Sequence, residues 1–430
     1  MTGDIDVAPA ASEATAPNPA AARASRAQVA VVLACLIGNV ISPILVVRGS
    51  FGLFLIPISH EFHWPRERVS GVLGLLAIIS ALTFPLVGRI ADQFGPRRPI
   101  LFGTVVGSAC VVGLGLATAN VWLFYGLFAL VGTFSTLAST MMFNRVVAGW
   151  FDKARGAMLG VTSGLGNGVG STLVPVGALV LMRAFGWRGA FFGLGAIMLA
   201  VGIPTMLWLL KEPPIVAGGR TTAHTAAAGM SLAEAARTRS FWQVLVAIGL
   251  GAGCLIAVLA HVVPLLSDRH FSRGQGVLVV TVFAMVGAGW TIATGWLLDR
   301  VASPKVIAPF YLIALAGVLA LDRGATLPMF VAGGAMMGVG LGAEFGALSY
   351  FISRYFGLRW FGVIAGVMYS AVTVAQGVTP YLMDVDFDRH GSYLLSLHVV
   401  EASLVVGAAM IAFLPRYAAT AASWREQTAV

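Results

Sequence analysis

Twelve runs of apolar residues, each long enough to cross a lipid bilayer, constrain this chain more than any other feature. They fall near 28–58, 69–92, 99–118, 121–149, 157–184, 187–210, 241–266, 275–298, 304–321, 326–355, 360–383 and 393–414. An α-helix rises about 1.5 Å per residue, so about 20 apolar residues cover the hydrocarbon thickness. Several runs are longer than that, which implies tilt or protrusion. Hydrophobic residues make up 58% of the 430 and charged residues 10%, whereas a soluble domain carries roughly 25% charged. The solvent of this chain is a bilayer.

The runs divide into two sets of six. The longest polar interruption, 211–240, separates runs six and seven and holds Lys211, Arg220, Arg237 and Arg239. A charged break, Gly88-Arg89-Ile90-Ala91-Asp92-Gln93-Phe94-Gly95-Pro96-Arg97-Arg98, has a weaker copy at Gly295-Trp296-Leu297-Leu298-Asp299-Arg300-Val301-Ala302-Ser303-Pro304-Lys305. Pro57, Gly88 and Asp92 map onto Pro264, Gly295 and Asp299 at one constant offset, and Trp150, Phe151 and Pro175 map onto Tyr355, Phe356 and Pro380 at nearly the same one. The expected fold is therefore an all-α membrane protein of twelve spans in two pseudo-symmetric six-helix bundles around a central cavity. The expected domains are a disordered tail 1–26, a bundle 27–210, a linker 211–240, a second bundle 241–415 and a tail 416–430. Repeats of like orientation suit an alternating-access carrier with its site at mid-membrane, although a channel can also carry repeats.

Orientation follows from the basic residues. With both termini inside, the tails and inner loops hold roughly 17 of the 27 Lys and Arg and the outer loops roughly 8. Both termini and both copies of the charged break are thus expected on the cytoplasmic side of a cell inner membrane. The basic residues form no patch, so the net charge of +9 reads as orientation, with no nucleic-acid partner. Cys35, Cys110 and Cys254 lie in apolar runs, too far apart for a zinc pattern. Asp384, Asp386 and Asp388 alternate like the start of a calcium loop, but Arg389 and Leu395 stand where its Gly and Glu belong. No metal or cofactor is expected. Nor is an enzyme, since no catalytic set or phosphate loop is present.

A charge at membrane depth costs about 2.5–3.5 kcal/mol or more and marks a pathway by default. Arg48 lies a few residues past the middle of run one with apolar flanks. Arginine forms bidentate pairs with carboxylates, so Arg48 is read as the binder of an anionic substrate, with snorkelling to the interface as the alternative. Run four carries Thr133, Thr136, Thr140 and Asn144 at helical spacing, a stripe that lines water or joins helices. Thr140 and Asn144 enter the expected substrate site, with Tyr369 and Gln376 from run eleven. Glu344 is the deepest carboxylate; it either carries a coupling proton, since a carboxyl held from water keeps its proton more tightly, or has a structural partner. His261 in run seven is a second proton candidate or a packing histidine. Gly156, Gly160, Gly164 and Gly168 repeat every four residues and permit close helix approach. Asp92 ends a helix at the membrane face, where it can accept from free N–H groups of a neighbouring helix. Arg97 and Arg98 are placed to pair with Asp152 or with lipid phosphates.

Gly88–Arg98 resembles the loop signature of the major facilitator superfamily, with Ile90 for its Leu and Gln93 for its Arg. Gly95-Pro96-Arg97, Arg48-Gly49-Ser50-Phe51, Trp150-Phe151-Asp152-Lys153-Ala154-Arg155-Gly156 and Phe185-Gly186-Trp187-Arg188 are similar to the monocarboxylate porter and oxalate/formate antiporter branch. The resemblance implies that the loop latches the inner side shut, a role carried to Gly88, Asp92, Gly95 and Arg97 and, through the repeat, to Asp299. It also implies a carrier that works as a monomer. The branch's Asp and Arg of span eight are replaced by Gly287 and Thr291, and span eleven has no Lys. The expected cargo is therefore a small organic monoanion, moved with a proton or against a counter-anion. Drug or metabolite efflux is the alternative, and a non-transporting sensor the alternative of another class.

Overall fold

The computed structural model describes residues 19–212, 229–301 and 303–417. The expected tails and linker fall partly outside the described residues, at 1–18, 213–228 and 418–430. A helix runs from Pro19 to Val40, so 19–26 of the expected tail is helical.

Among the described residues, eleven stretches are long and apolar enough to cross a membrane. Arg155–Leu209 has 55 residues, about 80 Å of helix and more than twice the hydrocarbon thickness of about 30 Å. It is two crossings, turned at Gly186, whose φ of 68° lies in the region that favours glycine. The protein is thus an all-α membrane protein of twelve spans. In chain order they are Ser25–Phe62, Arg66–Phe94, Arg97–Leu114, Val121–Trp150, the two within Arg155–Leu209, Arg239–Asp268, Arg273–Val301, Pro304–Arg323, Leu327–Tyr355, Phe361–His390 and Leu394–Ala412.

Polar side chains close the helix ends. The Asn120 carboxamide oxygen accepts from the Trp122 and Leu123 amides and so caps span four. At the same membrane face, Arg188 donates to the Gly115 and Ala117 carbonyls beyond span three and pairs with Glu61 at 2.7 Å. Arg269 treats the end of span nine alike, donating to the Leu321, Asp322 and Gly324 carbonyls. Carbonyls left open at a helix end are thereby satisfied.

The first half departs from regular helix at three neighbouring places. Span one breaks at Ser42 (φ −56°, ψ 128°), because Pro43 lacks an N–H and pushes its predecessor to an extended conformation. Span four passes through a 3₁₀ turn, Thr136–Ala138, and an extended Ser139 (φ −103°, ψ 166°). The Ser42 hydroxyl donates to the Ala138 carbonyl at 2.9 Å, so the two breaks support each other. Span five carries a π-turn over Val161–Leu165. Broken spans are tolerated where protein or a cavity satisfies the freed backbone.

The halves meet chiefly through spans two and eleven and through spans five and eight. Glycine pairs set both contacts. A Cβ on Gly88 would collide with the Gly362 carbonyl, and one on Gly295 with the Gly156 carbonyl.

Candidate functional site

At one membrane face the two halves are latched twice, in pseudo-symmetric fashion. The Asp92 carboxylate accepts from the Gly362 and Val363 amides, each at 2.9 Å, which opens span eleven. The Asp299 carboxylate accepts from the Gly156 and Ala157 amides at 2.9 and 2.8 Å, which opens span five. The first N–H groups of a helix have no partner within it, and the helix dipole favours a negative charge there. Each aspartate therefore exchanges water for two backbone donors of the opposite half. The glycines beside them make this reachable, because any side chain would hold the helices apart.

Arg145 stands behind the first latch, its Nε 3.5 Å from Asp92 and its guanidinium 5.6 Å from the centre of the Phe361 ring. Gly95 and Arg97, also expected in the gate, face their own half. Gly95 (φ 77°) lets the chain pass beneath the Glu212 carboxylate. The Arg97 amide donates to Glu212 at 3.2 Å and its guanidinium to the Leu207 carbonyl at 2.9 Å. Burial pushes the Glu212 carboxyl above its usual range, and the Arg97 amide and charge act against that shift. Neither Arg97 nor Arg98 pairs with Asp152. That carboxylate bridges Arg155 and Arg354, each at 3.2 Å, and so adds a third tie between the halves.

Deeper in the membrane, Asn144, Ser349 and Tyr369 form a triangle across the halves. The Asn144 amide donates to the Ser349 and Tyr369 oxygens at 3.0 and 3.2 Å, and the two hydroxyls lie 3.0 Å apart. Phe84 packs against the Tyr369 ring with centroids 6.0 Å apart. Among the described residues, every hydrogen bond between the halves belongs to this triangle or to the latched face below it.

Thr140 belongs to a different cluster. Its hydroxyl donates to the Asn39 carboxamide oxygen at 2.7 Å and meets Asn167 at 3.3 Å, while the Asn39 amide donates to the Thr162 carbonyl at 3.2 Å. This polar node joins spans one, four and five where all three are irregular. The expected stripe on span four is thus divided. Its periodicity assumed a straight helix, and the turn at Thr136–Ser139 rotates the Thr133 end away from the Thr140 end.

Arg48 lies beyond these clusters, away from the latched face. Span one packs against spans two to six of its own half. Arg48 is exposed, and Cβ atoms at the neighbouring Gly49 and Gly52 would meet nothing within 4 Å. Among the described residues Arg48 makes no ion pair or hydrogen bond. Gln376 lies two helical turns beyond Tyr369 on the same side of span eleven, and its side-chain nitrogen is buried with no hydrogen-bond partner among the described residues.

The two proton candidates stand apart from the anion site. Glu344 is 1% exposed, inside the second half, against Gly251 of span seven and Tyr311 of span nine. His261 is buried near the unlatched end. Its Nδ1 lies 2.7 Å from the Ala257 carbonyl and its Nε2 2.8 Å from Asp384.

Asn39, Asn167, Ser349, Gly362 and Glu212 complete these clusters and were not singled out in the sequence. Ser42-Pro43 was the one legible signal, a helix stop and restart inside an apolar run.

A multi-span bundle of two like halves, held together at one face, has the architecture of a membrane transporter. Residues 22–380 match the Major Facilitator Superfamily, and the chain belongs to that family. It is 25% identical over 392 residues to monocarboxylate transporter 11 of Mus musculus, covering 85% of this chain and 83% of that one. It is 25% identical over 318 residues to the oxalate:formate antiporter of Oxalobacter formigenes, covering 71% and 73%. Among solved structures, the fucose:proton symporter FucP of E. coli superposes with a TM-score of 0.68 at 14% identity, covering 91% of this chain and 98% of that one.

Proposed function

We propose that this transporter is a secondary carrier for a small organic monoanion. The observation that carries the proposal is Arg48, an exposed guanidinium past the middle of span one with no ion pair or hydrogen bond among the described residues. A carboxylate arriving from the unlatched end would supply the partner that Arg48 lacks, in the planar bidentate form that arginine favours. Gln376 offers a second donor on span eleven, and the Asn144–Ser349–Tyr369 triangle closes the floor. The polar node around Thr140 shapes the wall rather than contacting cargo, because its hydrogen bonds are spent within it. The relatives named for monocarboxylates and for oxalate and formate support an anion of this class. With a single arginine and neutral Gly287 and Thr291 in span eight, one negative charge is the better match.

The latches at Asp92 and Asp299, with Gly88 and Gly295 at their contacts, are the gate of alternating access, and Gly95 and Arg97 brace the first of them. Glu344 and the His261–Asp384 pair are the groups that can take up a coupling proton if transport is symport, and neither is needed if it is exchange. The carrier sits in the cell inner membrane with both termini and the latched face cytoplasmic, so closure of that face corresponds to an outward-facing state, and it acts as a monomer. Uptake of a panel of radiolabelled monocarboxylates into proteoliposomes, with and without a pH gradient, tests the proposal. Saturable uptake of at least one acid that Arg48→Ala abolishes is expected. Counterflow by none of them, alongside transport of cationic drugs, would move the protein to efflux.

A further inference from the structure

Between spans two, three and four, outside the central pathway, lies a lateral groove with a volume of about 540 Å³. Leu86, Ile90 and Phe94 of span two, Phe102 of span three, and Phe134 and Leu137 of span four line it. Its only hydroxyls, on Thr83 and Thr133, donate to the Ile79 and Ala129 carbonyls of their own helices at 2.8 and 2.9 Å. Apart from Arg98 the walls therefore offer no free donor, and an apolar chain is the occupant they suit. The groove opens where span four leaves the α-helix at Thr136–Ala138 and recedes from its neighbours. Gly103 lets span three follow, since a Cβ there would strike Leu137.

Two further observations identify the occupant. From Thr83 to Phe94 the groove runs along twelve residues of span two, eleven rises or about 17 Å at the helical rise. Half of a hydrocarbon core about 30 Å thick is about 15 Å, so the groove is as deep as one leaflet. At its mouth stands Arg98, exposed on the first turn of span three, with no hydrogen bond or ion pair among the described residues. Its neighbour Arg97 is engaged by Leu207, so the cation at the mouth is Arg98 alone. A leaflet-deep apolar groove with an unpaired cation at headgroup level is complementary to an anionic phospholipid.

We propose that this groove binds the acyl chain of an anionic phospholipid from the latched-side leaflet, with Arg98 on the phosphodiester. The site adjoins the Gly88–Arg98 break, so a bound lipid stiffens the loop that carries Asp92.

Site-directed cross-linking tests this in the full chain. With Phe102→p-benzoylphenylalanine, vesicles of phosphatidylglycerol or phosphatidylcholine with identical chains are irradiated and the adducts counted by mass spectrometry. A second cross-linker at exposed Val405, on span twelve, reports ordinary boundary lipid. The expected yield at Phe102 favours phosphatidylglycerol about five-fold, the factor one interfacial cation contributes. Arg98→Gln, at an exposed position, is expected to bring that ratio to the value seen at Val405. Thr83→Leu, which fills the inner end, is expected to lower the yield for both lipids. A ratio at Phe102 equal to that at Val405, or one unchanged by Arg98→Gln, would mean boundary contact only and would overturn the proposal.

Discussion

Replacing Asp92 with Asn removes the charge of one latch while leaving its shape. The native carboxylate accepts two N–H groups at 2.9 Å, from Gly362 and Val363, and is wholly buried. An Asn side chain has one accepting oxygen, so one amide keeps a neutral bond and the other faces an NH₂ group. The loss is at least one charge-assisted hydrogen bond, about 1.5–3 kcal/mol. Because both bonds cross the halves, they exist only in the latched state, and the whole loss falls on that state. At 1.4 kcal/mol per factor of ten, the latched-to-unlatched ratio drops about 10- to 150-fold. Spin labels at Trp122 and Leu395, exposed near the opposite face, report the change by double electron–electron resonance. The distance is expected to move toward a shorter population in D92N. D299N is expected to act alike through Gly156 and Ala157, and the double variant to add the two shifts. Populations unchanged in both single variants would refute the latch reasoning.

Four further outcomes are expected. Arg48→Ala should abolish saturable uptake, and Arg48→Lys should restore it only in part, because an ammonium cannot make the bidentate pair; uptake kinetics decide. Gly295→Ala places a Cβ against the Gly156 carbonyl and should destabilise the latched state by about 1–3 kcal/mol, as overpacking does, visible in the same spin-label distances. Glu344→Gln should leave the protein folded and remove any stimulation of uptake by an inward proton gradient; stimulation that persists would assign the proton elsewhere. Glu212 has a folded-state pKa raised chiefly by burial, so its contribution to stability is present below its unfolded pKa of about 4.5 and is lost as pH rises through the raised value. Glu212→Gln should therefore show a smaller decline in thermal stability across that window, measured by melting in detergent at a series of pH values.

The plan of the molecule was readable because the bilayer imposes lengths and the repeat copies residues. Gly88 and Asp92, with their echoes Gly295 and Asp299, lie at the two paired contacts between the halves. Their receiving ends, Gly362 and Gly156, were not readable as partners, because a free N–H at a helix start is a property of tertiary placement and not of residue type. Span one was read straight through Ser42-Pro43, although that pair is a helix stop and restart. The threonine stripe of span four was drawn on an unbroken helix, and the turn at Thr136–Ser139 separates its members. Arg97 was expected to pair with Asp152 or with lipid phosphates, and its guanidinium instead donates to the Leu207 carbonyl of span six. Asp384, dismissed as a calcium ligand, is the carboxylate that faces His261, a pairing across 123 positions that no spacing rule displays. Glu344 was conspicuous as a lone acid; that it faces Gly251 and Tyr311, away from the other half, came only from the packing.

Counterflow in proteoliposomes tests the central claim most directly. Vesicles preloaded with an unlabelled monocarboxylate are diluted into its radiolabelled form, with the native protein and Arg48→Ala in parallel. A transient, saturable overshoot with the native protein and none with Arg48→Ala is predicted. Equal overshoot in both, or none for any acid across the panel, would contradict an anion carrier built around Arg48.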